Sequence, residues 1–161
     1  MSDRLVRVAL PAGYSMLPGS TLDRALLLKF MHKTYLELTP DNSLTHLSNT
    51  VEQYFSSETP IWWVAWEDMV IACLWLGTAI DQLQGDRHAH IFLLYVAPAH
   101  RRKGIGSALM HQAEAWAQAR GDRQIGLQVF QSNQPALSLY QQLGYEPQSL
   151  WMVKPLNQST L

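Results

Sequence analysis

The chain has 161 residues, a hydrophobic fraction of 47% and a formal net charge of -1 at neutral pH. This length predicts one domain, and the apolar content is sufficient for a packed core, so a disordered chain is excluded. A surface that binds nucleic acid would need a basic excess, which the composition lacks. No nucleic-acid partner is therefore predicted.

The first half of the chain predicts one strand and two helices. Leu5 to Leu10 alternates like a strand, and prolines and glycines then end it. Ser20 or Thr21 is a suitable cap for a helix from Leu22 to about Leu38. A second helix is predicted across Leu44 to Phe55, where apolar residues recur at helical spacing.

The rest of the chain predicts an antiparallel meander followed by alternating helices and strands. Two apolar, partly aromatic runs, Ile61 to Trp66 and Val70 to Leu76, flank the acidic turn Glu67-Asp68 and form a hairpin. The later elements are a strand over His88 to Val96, a helix over 104–120, a strand over Gln124 to Phe130, a short helix capped by Ser132 or Asn133, and a last strand over Leu150 to Val153.

The cysteine and histidine content predicts no metal site. The single cysteine, Cys73, lies in an apolar run and is interpreted as a core residue, compatible with a reducing compartment. His88 and His90 would share one face of a strand, but no carboxylate accompanies them. The N-terminal residues show no secretory pattern, and no apolar run approaches the ~20 residues that span a bilayer. A cytoplasmic protein without a membrane partner is predicted.

A cationic loop with two glycines follows the strand that ends at Val96. Residues 101–103 are all basic, Gly104 and Gly106 follow, and a helix pattern begins at once. The free N–H groups of a helix N-terminus attract anions, and glycine lets the backbone approach a ligand closely. The glycine spacing does not fit a P-loop, and Leu109 replaces the third small residue of a dinucleotide fingerprint. The loop therefore predicts another kind of phosphate-bearing ligand.

Two motifs resemble those of the GNAT superfamily of N-acetyltransferases. The loop, with Val-x-Pro ahead of it, is similar to the family's pyrophosphate loop. A second block, one helix and one strand downstream, is similar to the family's other conserved segment. The motif-bearing part covers roughly residues 90 to 153, and the first half of the chain carries no recognised signature. The matching residues are Arg101-x-x-Gly104-x-Gly106 and Asn133-x-x-Ala136-x-x-x-Tyr140-x-x-x-Gly144-Tyr145.

The resemblance implies an α/β (α+β) fold with a mixed, mostly antiparallel central sheet and about four flanking helices. The implied element order is β-α-α-β-β-β-α-β-α-β, with two splayed strands that form a coenzyme cleft. Residues 1–161 would form one GNAT-like domain, with acceptor-side helices in 1–60 and acetyl-CoA-binding motifs in 90–153. The resemblance also leads us to expect a homodimer.

Acetyl-CoA is the co-substrate that the resemblance implies. The backbone amides of 102–107 would hold its pyrophosphate, while the side chains of Arg102 and Lys103 are equally compatible with a solvated surface. Its pantetheine arm would lie along one edge of the preceding strand, and Gly126 is expected to bulge so that the strands diverge. The residues implied to contact the coenzyme are Leu94, Tyr95, Val96, Arg101, Arg102, Lys103, Gly104, Ile105, Gly106, Ser107, Asn133, Ala136 and Tyr140.

The implied chemistry is direct attack of an amine on the thioester, without a covalent enzyme intermediate. Tyr140 would act as general acid toward the leaving thiolate, and the backbone N–H of Val96 would polarise the thioester carbonyl. Two residues of the second motif also fit a purely structural role. Tyr140 is compatible with a core aromatic residue, and Asn133 with a helix cap.

The resemblance supplies no glutamate as general base, because Phe92 stands where many relatives of this kind carry that residue. His90 shares strand parity with Phe92 and Leu94, and imidazole titrates near neutral pH, so His90 is a candidate base. The alternatives are a surface histidine on an edge strand and a water relay.

The predicted function is acetyl transfer from acetyl-CoA to a primary amine of a small molecule or peptide, in a ternary complex. The missing glutamate gives some support to a catalytically idle acyl-CoA-binding regulatory or sensor module, and the retained Tyr140 opposes it. A phosphotransferase is disfavoured, because the sequence lacks clustered acidic metal ligands. Aromatic residues of the first half are candidates for an acceptor pocket, although most are expected in the core: Tyr35, Tyr54, Phe55, Trp62, Trp63, Trp66 and Trp75.

Overall fold

A computed structural model describes residues 9–40 and 43–157 as a five-stranded sheet with helices on both faces. The strands are neighbours in chain order; the first four are antiparallel, and the fifth is parallel to the fourth. The predicted mixed, mostly antiparallel α/β fold is confirmed. The elements are β1 (Tyr14–Pro18), α1 (Arg24–Leu38), α2 (Leu47–Tyr54), β2 (Ile61–Trp66), β3 (Met69–Ile80), β4 (Arg87–Val96), α3 (Ile105–Arg120), β5 (Ile125–Leu127) and α4 (Gln134–Gln142).

The apolar run of β3 is buried on both faces of the sheet. Alternate residues of a strand point to opposite faces. Cys73 and Trp75 pack in one cluster with residues of α1 and α2, whereas Leu74 and Leu76 pack in a second cluster with residues of α3. Because both faces are covered, this strand reads as a continuous apolar sequence rather than an alternating one.

Reciprocal capping fixes the 3-10 turn that leads directly into α1, with Ser20 as one of the two caps that the sequence predicts. Ser20 and Asp23 form a capping box around a short 3-10 turn, with the backbone N–H of Ser20 donating to Asp23 Oδ2 at 2.8 Å. The indole N–H of Trp63 donates to the same oxygen at 3.0 Å. The cap therefore also joins α1 to β2. The second helix is shorter than predicted and begins at Leu47.

The first described strand lies later in the chain than predicted. Most of the predicted strand Leu5 to Leu10 falls outside the described residues, and Ala9 and Leu10 are irregular. Strand β1 instead ends with Pro18, which pairs with Trp62. Proline is tolerated because β1 is an edge strand with one partner.

The strand predictions near the C-terminus were wrong in extent or in kind. The strand predicted over 124–130 is limited to β5. The strand predicted over Leu150 to Val153 is absent, because residues 146–157 have no regular structure and join none of the described strands. A strand needs a neighbour for its hydrogen bonds, and apolar composition alone does not supply one.

Candidate active site

Strands β4 and β5 diverge after a short stretch of parallel pairing. The pairs are Ala89 with Ile125, His90 with Gly126, and Ile91 with Leu127, whereas β4 continues to Val96. A gap therefore opens beside the second half of β4, at the position where the resemblance implies a coenzyme cleft.

Gly126 does not form the expected bulge, because its pairing register is consecutive. A Cβ at this position would lie 3.2 Å from Cε1 of His88 and 3.6 Å from Nδ1 of His90. The glycine therefore makes room for two imidazoles rather than bending the strand.

The irregularity lies in β4, at Phe92. Two adjacent residues of β3 pair with Ile91 and Leu93 and leave Phe92 without a partner of its own. Phe92 packs against the cluster that includes α1, whereas Leu94 packs against the cluster that includes α3. The rings of His90 and Phe92 lie 5.8 Å apart on one face. The expected shared parity of His90 with Leu94 was therefore wrong.

The register of β4 directs alternate backbone groups into the gap. Ala97 N–H donates to Ile71 O at 2.8 Å. In an antiparallel pair the preceding residue, Val96, then directs its N–H and C=O away from β3, and Leu94 does the same. Consistent with this direction, Val96 O accepts a hydrogen bond from Arg101 Nε at 2.8 Å. The Val96 N–H therefore faces the gap.

A cleft of about 140 Å³ occupies the gap, between α1, β4, the segment after β5 and α4. Four residues that the motifs implied for the coenzyme are brought together in its lining: Leu94, Asn133, Ala136 and Tyr140. Three further lining residues come from α1, where no motif pointed to them: Thr34, Tyr35 and Leu38.

Capping interactions at both ends fix α4 and so place Tyr140. Asn133 Oδ1 accepts from the backbone N–H of Ala136 at 3.3 Å, so Asn133 is a helix cap that also lines the cleft. At the other end Gly144 has a φ of 91°, and Tyr145 N–H donates to Tyr140 O at 2.9 Å. This pattern is a Schellman motif, in which glycine adopts the left-handed conformation most easily.

Tyr140 is largely buried, and burial raises its pKa to about 12. Its phenol therefore keeps its proton at neutral pH, as a general acid requires. The Tyr145 ring lies 6.0 Å away and its hydroxyl donates to Glu114 at 3.1 Å. The two tyrosines thus have different environments, and only Tyr140 lines the cleft.

The loop between β4 and α3 has a strongly curved backbone. Arg102 and Gly104 both have positive φ, 60° and 79°. A positive φ is uncommon for arginine, and such turns gather successive N–H groups into an anion-binding concavity. The first α-helical hydrogen bond runs from Ala108 N–H to Gly104 O, so the amides of 104–107 precede the helical pattern.

The two glycines of the loop serve different purposes. Gly104 caps α3 in the left-handed conformation, and a Cβ there would meet nothing within 4 Å. Its role is therefore conformational, and the space beside it is open to a ligand. A Cβ at Gly106 would lie 3.2 Å from Leu139 Cδ2, so Gly106 also lets α4 approach α3.

The first basic residue of the loop is engaged within the chain. Arg101 forms two hydrogen bonds to the Glu37 carboxylate, at 2.7 Å and 2.8 Å. Tyr95, which is buried on the α1 face, donates to the same carboxylate at 3.3 Å. Burial, and then the charge of Glu37, raise the pKa of Tyr95. The register of β4 also directs the backbone N–H and C=O of Tyr95 toward β3, so neither the side chain nor the backbone polar groups of Tyr95 face the gap.

Glu37 was missed at the sequence level, because nothing local marks it. It is 64 residues from Arg101 in the chain. The one feature that could have indicated a role for Glu37 is its position on α1, three residues after Thr34, which lines the cleft. Lys103, the third basic residue, donates from Nζ to the Tyr14 hydroxyl at 3.4 Å.

His90, the candidate base, lies beside Gly126 and one residue before the part of β4 that lines the cleft. Burial lowers the pKa of His90 below its ordinary value of 6.5, and charge on His88 lowers it further. A neutral imidazole can accept a proton, but this one does not line the cleft.

The aromatic residues of the first half divide between core, cleft and surface. Phe55, Trp63 and Trp75 are buried in the core, as expected, and Tyr35 lines the cleft. Trp62 is only partly buried, and Tyr54 and Trp66 are exposed, against the expectation that most of the group lies in the core. Cys73 is fully buried, and burial raises the pKa of its thiol, which confirms a packing role. The described residues include no cluster suited to a metal ion and no helix with the length and apolarity to cross a membrane.

Comparison with known proteins agrees with this geometry. Streptothricin acetyltransferase of Streptomyces lavendulae is 44% identical over 50 residues, which are 31% of this chain and 26% of that protein. Human N-acetyltransferase 8 is 26% identical over 115 residues, 71% of this chain and 51% of that protein. The chain thus spans about half or less of the length of these two curated relatives.

A solved structure shows the same fold. A predicted acetyltransferase from Clostridium acetobutylicum, solved with acetyl-CoA, superimposes with a TM-score of 0.74 at 15% identity, over 88% of this chain and 96% of that one. The sequence profile of the acetyltransferase (GNAT) family matches residues 28–145, most of the chain. The chain belongs to the acetyltransferase (GNAT) family.

Proposed function

We propose that this protein transfers the acetyl group of acetyl-CoA to a primary amine of a small molecule or peptide, within a ternary complex. The observation that carries the proposal is the divergence of β4 from β5, with the N–H of Val96 facing the gap and Tyr140 lining it. Membership of the family supports acetyl-CoA as the acyl donor.

The coenzyme's pyrophosphate would bind at the curved loop. Positive φ at Arg102 and Gly104 and the uncapped amides of 104–107 offer several N–H donors to one anion, and the α3 dipole favours negative charge there. The pantetheine amides would then pair with the backbone of Leu94 and Val96, which faces the gap.

Acetyl transfer would proceed by direct aminolysis. The neutral amine attacks the thioester carbon, the carbon–nitrogen bond forms, and the carbonyl oxygen gains negative charge that the Val96 N–H stabilises. Collapse breaks the carbon–sulfur bond, and Tyr140 donates its proton to the thiolate. The amine loses one proton to solvent, and the phenol of Tyr140 is reprotonated from solvent.

Water is the proposed acceptor of the amine's proton. None of the residues that line the cleft is a carboxylate or a histidine. The position that carries glutamate in many relatives is Phe92 in this chain, and it forms the bulge of β4. His90 lies outside the lining, so it would act only through intervening water.

The acceptor is proposed to be small. Streptothricin acetyltransferase is named for a small-molecule substrate. In this chain Thr34, Tyr35 and Leu38 of α1 line the cleft opposite β4, and they offer a hydroxyl, a phenol and an apolar side chain to an amine. Peptide acceptors remain within the same reaction class.

The test is CoA release with a panel of small amines, followed with a chromogenic thiol reagent. Cys73 will contribute little background because it is fully buried. We expect acetyl-CoA to bind and at least one amine to stimulate thiol release. Binding without turnover on any amine would favour the rival function, a regulatory acyl-CoA-binding module, which the absent carboxylate in the cleft supports.

A further inference from the structure

The cleft beside β4 has an uncharged lining. Helix α1 contributes a threonine, a tyrosine and a leucine, and the other lining residues are apolar residues, two side-chain amides and Tyr140. Glu37, the carboxylate of α1, lies outside the lining and is bound by Arg101 at 2.7 Å and 2.8 Å. An ammonium group inside the cleft would therefore meet no carboxylate side chain.

The aromatic part of this lining, Phe92, is fixed by the space that Gly77 leaves. A Cβ at Gly77 would collide with Cε2 and Cζ of the Phe92 ring, so the ring rests directly on the backbone of β3. The ring of Trp75 lies 4.9 Å from it in a T-shaped contact, and the ring of Tyr54 lies 6.0 Å from it. Phe92 is therefore held as an aromatic surface at one side of the cleft.

Phe92 and the neighbouring cleft residue Leu94 face different helices. Leu94 packs in the cluster that includes α3, whereas Phe92 packs against the cluster that includes α1. With the pantetheine arm along the gap beside Leu94, the α1 side of the cleft is left for the acceptor. The acceptor would then contact the Phe92 ring on its way to the thioester.

An uncharged lining restricts the amines that this side of the cleft can hold. Removal from water disfavours the charged form of an amine, so the pKa of an amine bound there falls and the neutral nucleophile becomes more abundant. A single ammonium can also lie over an aromatic ring. A polyamine, however, brings further ammonium groups, and buried charges need partners that the lining does not offer.

We propose that the acceptor is a monoamine with an aromatic or apolar body, and that Phe92, seated on Gly77, is the residue that determines this specificity. The inference rests on the proposed acetyl transfer, because it names the acceptor class of the same site. Its apolar surroundings also give the Phe92 position a role in a cleft whose lining has no carboxylate.

The test compares three amines in the thiol-release assay: 2-phenylethylamine, ethanolamine and spermidine. We expect kcat/KM for 2-phenylethylamine to exceed the other two values by about tenfold or more, since the phenyl ring gains apolar contacts. Phe92→Glu should reduce that value by about tenfold or more and raise the value for spermidine. Phe92→Gln is the matched control without charge: it should lose the aromatic preference and gain nothing for spermidine, and it also serves if the carboxylate prevents folding.

A binding measurement separates this inference from the proposed activity. Isothermal titration of the protein saturated with CoA should show 2-phenylethylamine bound about tenfold or more tightly than spermidine. If that preference is found and no amine releases thiol, acetyl transfer fails while the acceptor class stands. Equal or tighter binding of spermidine, binding of neither amine, or an unchanged preference in Phe92→Gln would overturn the inference.

Discussion

The guanidinium of Arg101 is bound to both carboxylate oxygens of Glu37, and its Nε–H donates to the backbone of Val96. The pair joins α1 to the end of β4, at the entrance to the phosphate loop. Both side chains are about two-fifths exposed, so the ion pair itself contributes only ~0–1 kcal/mol to stability. Its main effect is that Glu37 already neutralises the first cation of the loop.

Glu37→Gln should therefore tighten coenzyme binding several-fold at low salt. The change removes a negative charge near the loop and releases Arg101 from its carboxylate partner. Isothermal titration with CoA measures the effect, and the gain should shrink as salt is added. In the Arg101→Gln background the same change should give a smaller gain, and weaker binding by Glu37→Gln alone would count against this account.

Gly104→Asp should weaken CoA binding much more than Gly104→Asn. Both side chains tolerate the left-handed conformation, and both meet open space, so the fold should survive in each case at a cost of about 1–2 kcal/mol. Only aspartate places a negative charge beside the proposed pyrophosphate. Titration of both variants isolates the charge, and equal affinities would argue against a phosphate at this loop.

Tyr140→Phe should lower kcat by about 10²-fold or more and leave the affinity for CoA nearly unchanged, since a general acid contributes typically ~10²–10⁴-fold. Steady-state kinetics with the best amine provide the measurement. Tyr145→Phe is the control: it removes the hydrogen bond to Glu114 and should cost about 1 kcal/mol of stability with little change in kcat. Equal kinetic effects of the two variants would exclude the acid role of Tyr140.

The pH dependence of the rate gives a separate test of Tyr140. Because its pKa is about 12, the phenol stays protonated as the pH rises. The rate should therefore show no decline caused by Tyr140 between neutral pH and pH ~10. If the rate declines in that range and Tyr140→Phe abolishes the decline, the phenol of Tyr140 does not stay protonated and the account is contradicted.

His90 should make the fold less stable in acid. Its pKa is lower in the folded chain than in the unfolded one, so the unfolded chain binds the proton more readily. This contribution is complete above the ordinary value of 6.5 and is lost as the pH falls through that value toward the folded pKa. His90→Gln should flatten the pH dependence of the free energy of unfolding, measured by denaturant titration, by up to one proton's worth, ~1.4 kcal/mol per pH unit. An unchanged slope would refute the assignment.

The sequence predicted those parts of the site that local chemistry determines. The glycine loop, the start of α3 and the capped ends of α4 all depend on residues within a few positions of one another, and each lies where the pattern indicated. Glu37 is a partner of Arg101 only through tertiary structure. The bulge at Phe92 depends on the register with β3, which no single strand encodes, and it moves Leu94 to the other face from His90.

The errors in the strands have a similar physical cause. Leu150 to Val153 has the composition of a strand, but a strand needs a neighbouring strand for its hydrogen bonds, and this segment pairs with none of the described strands. Proline usually ends a strand because it has no backbone N–H. Strand β1 is an edge strand, so Pro18 can occupy its end without removing a hydrogen bond between strands.

The most direct test is a crystal structure of the protein with acetyl-CoA. The account predicts that the pyrophosphate lies within hydrogen-bond distance of the amides of 102–107, with the thioester between Val96 and Tyr140. A pyrophosphate bound elsewhere, with this loop empty at saturating coenzyme, would contradict it.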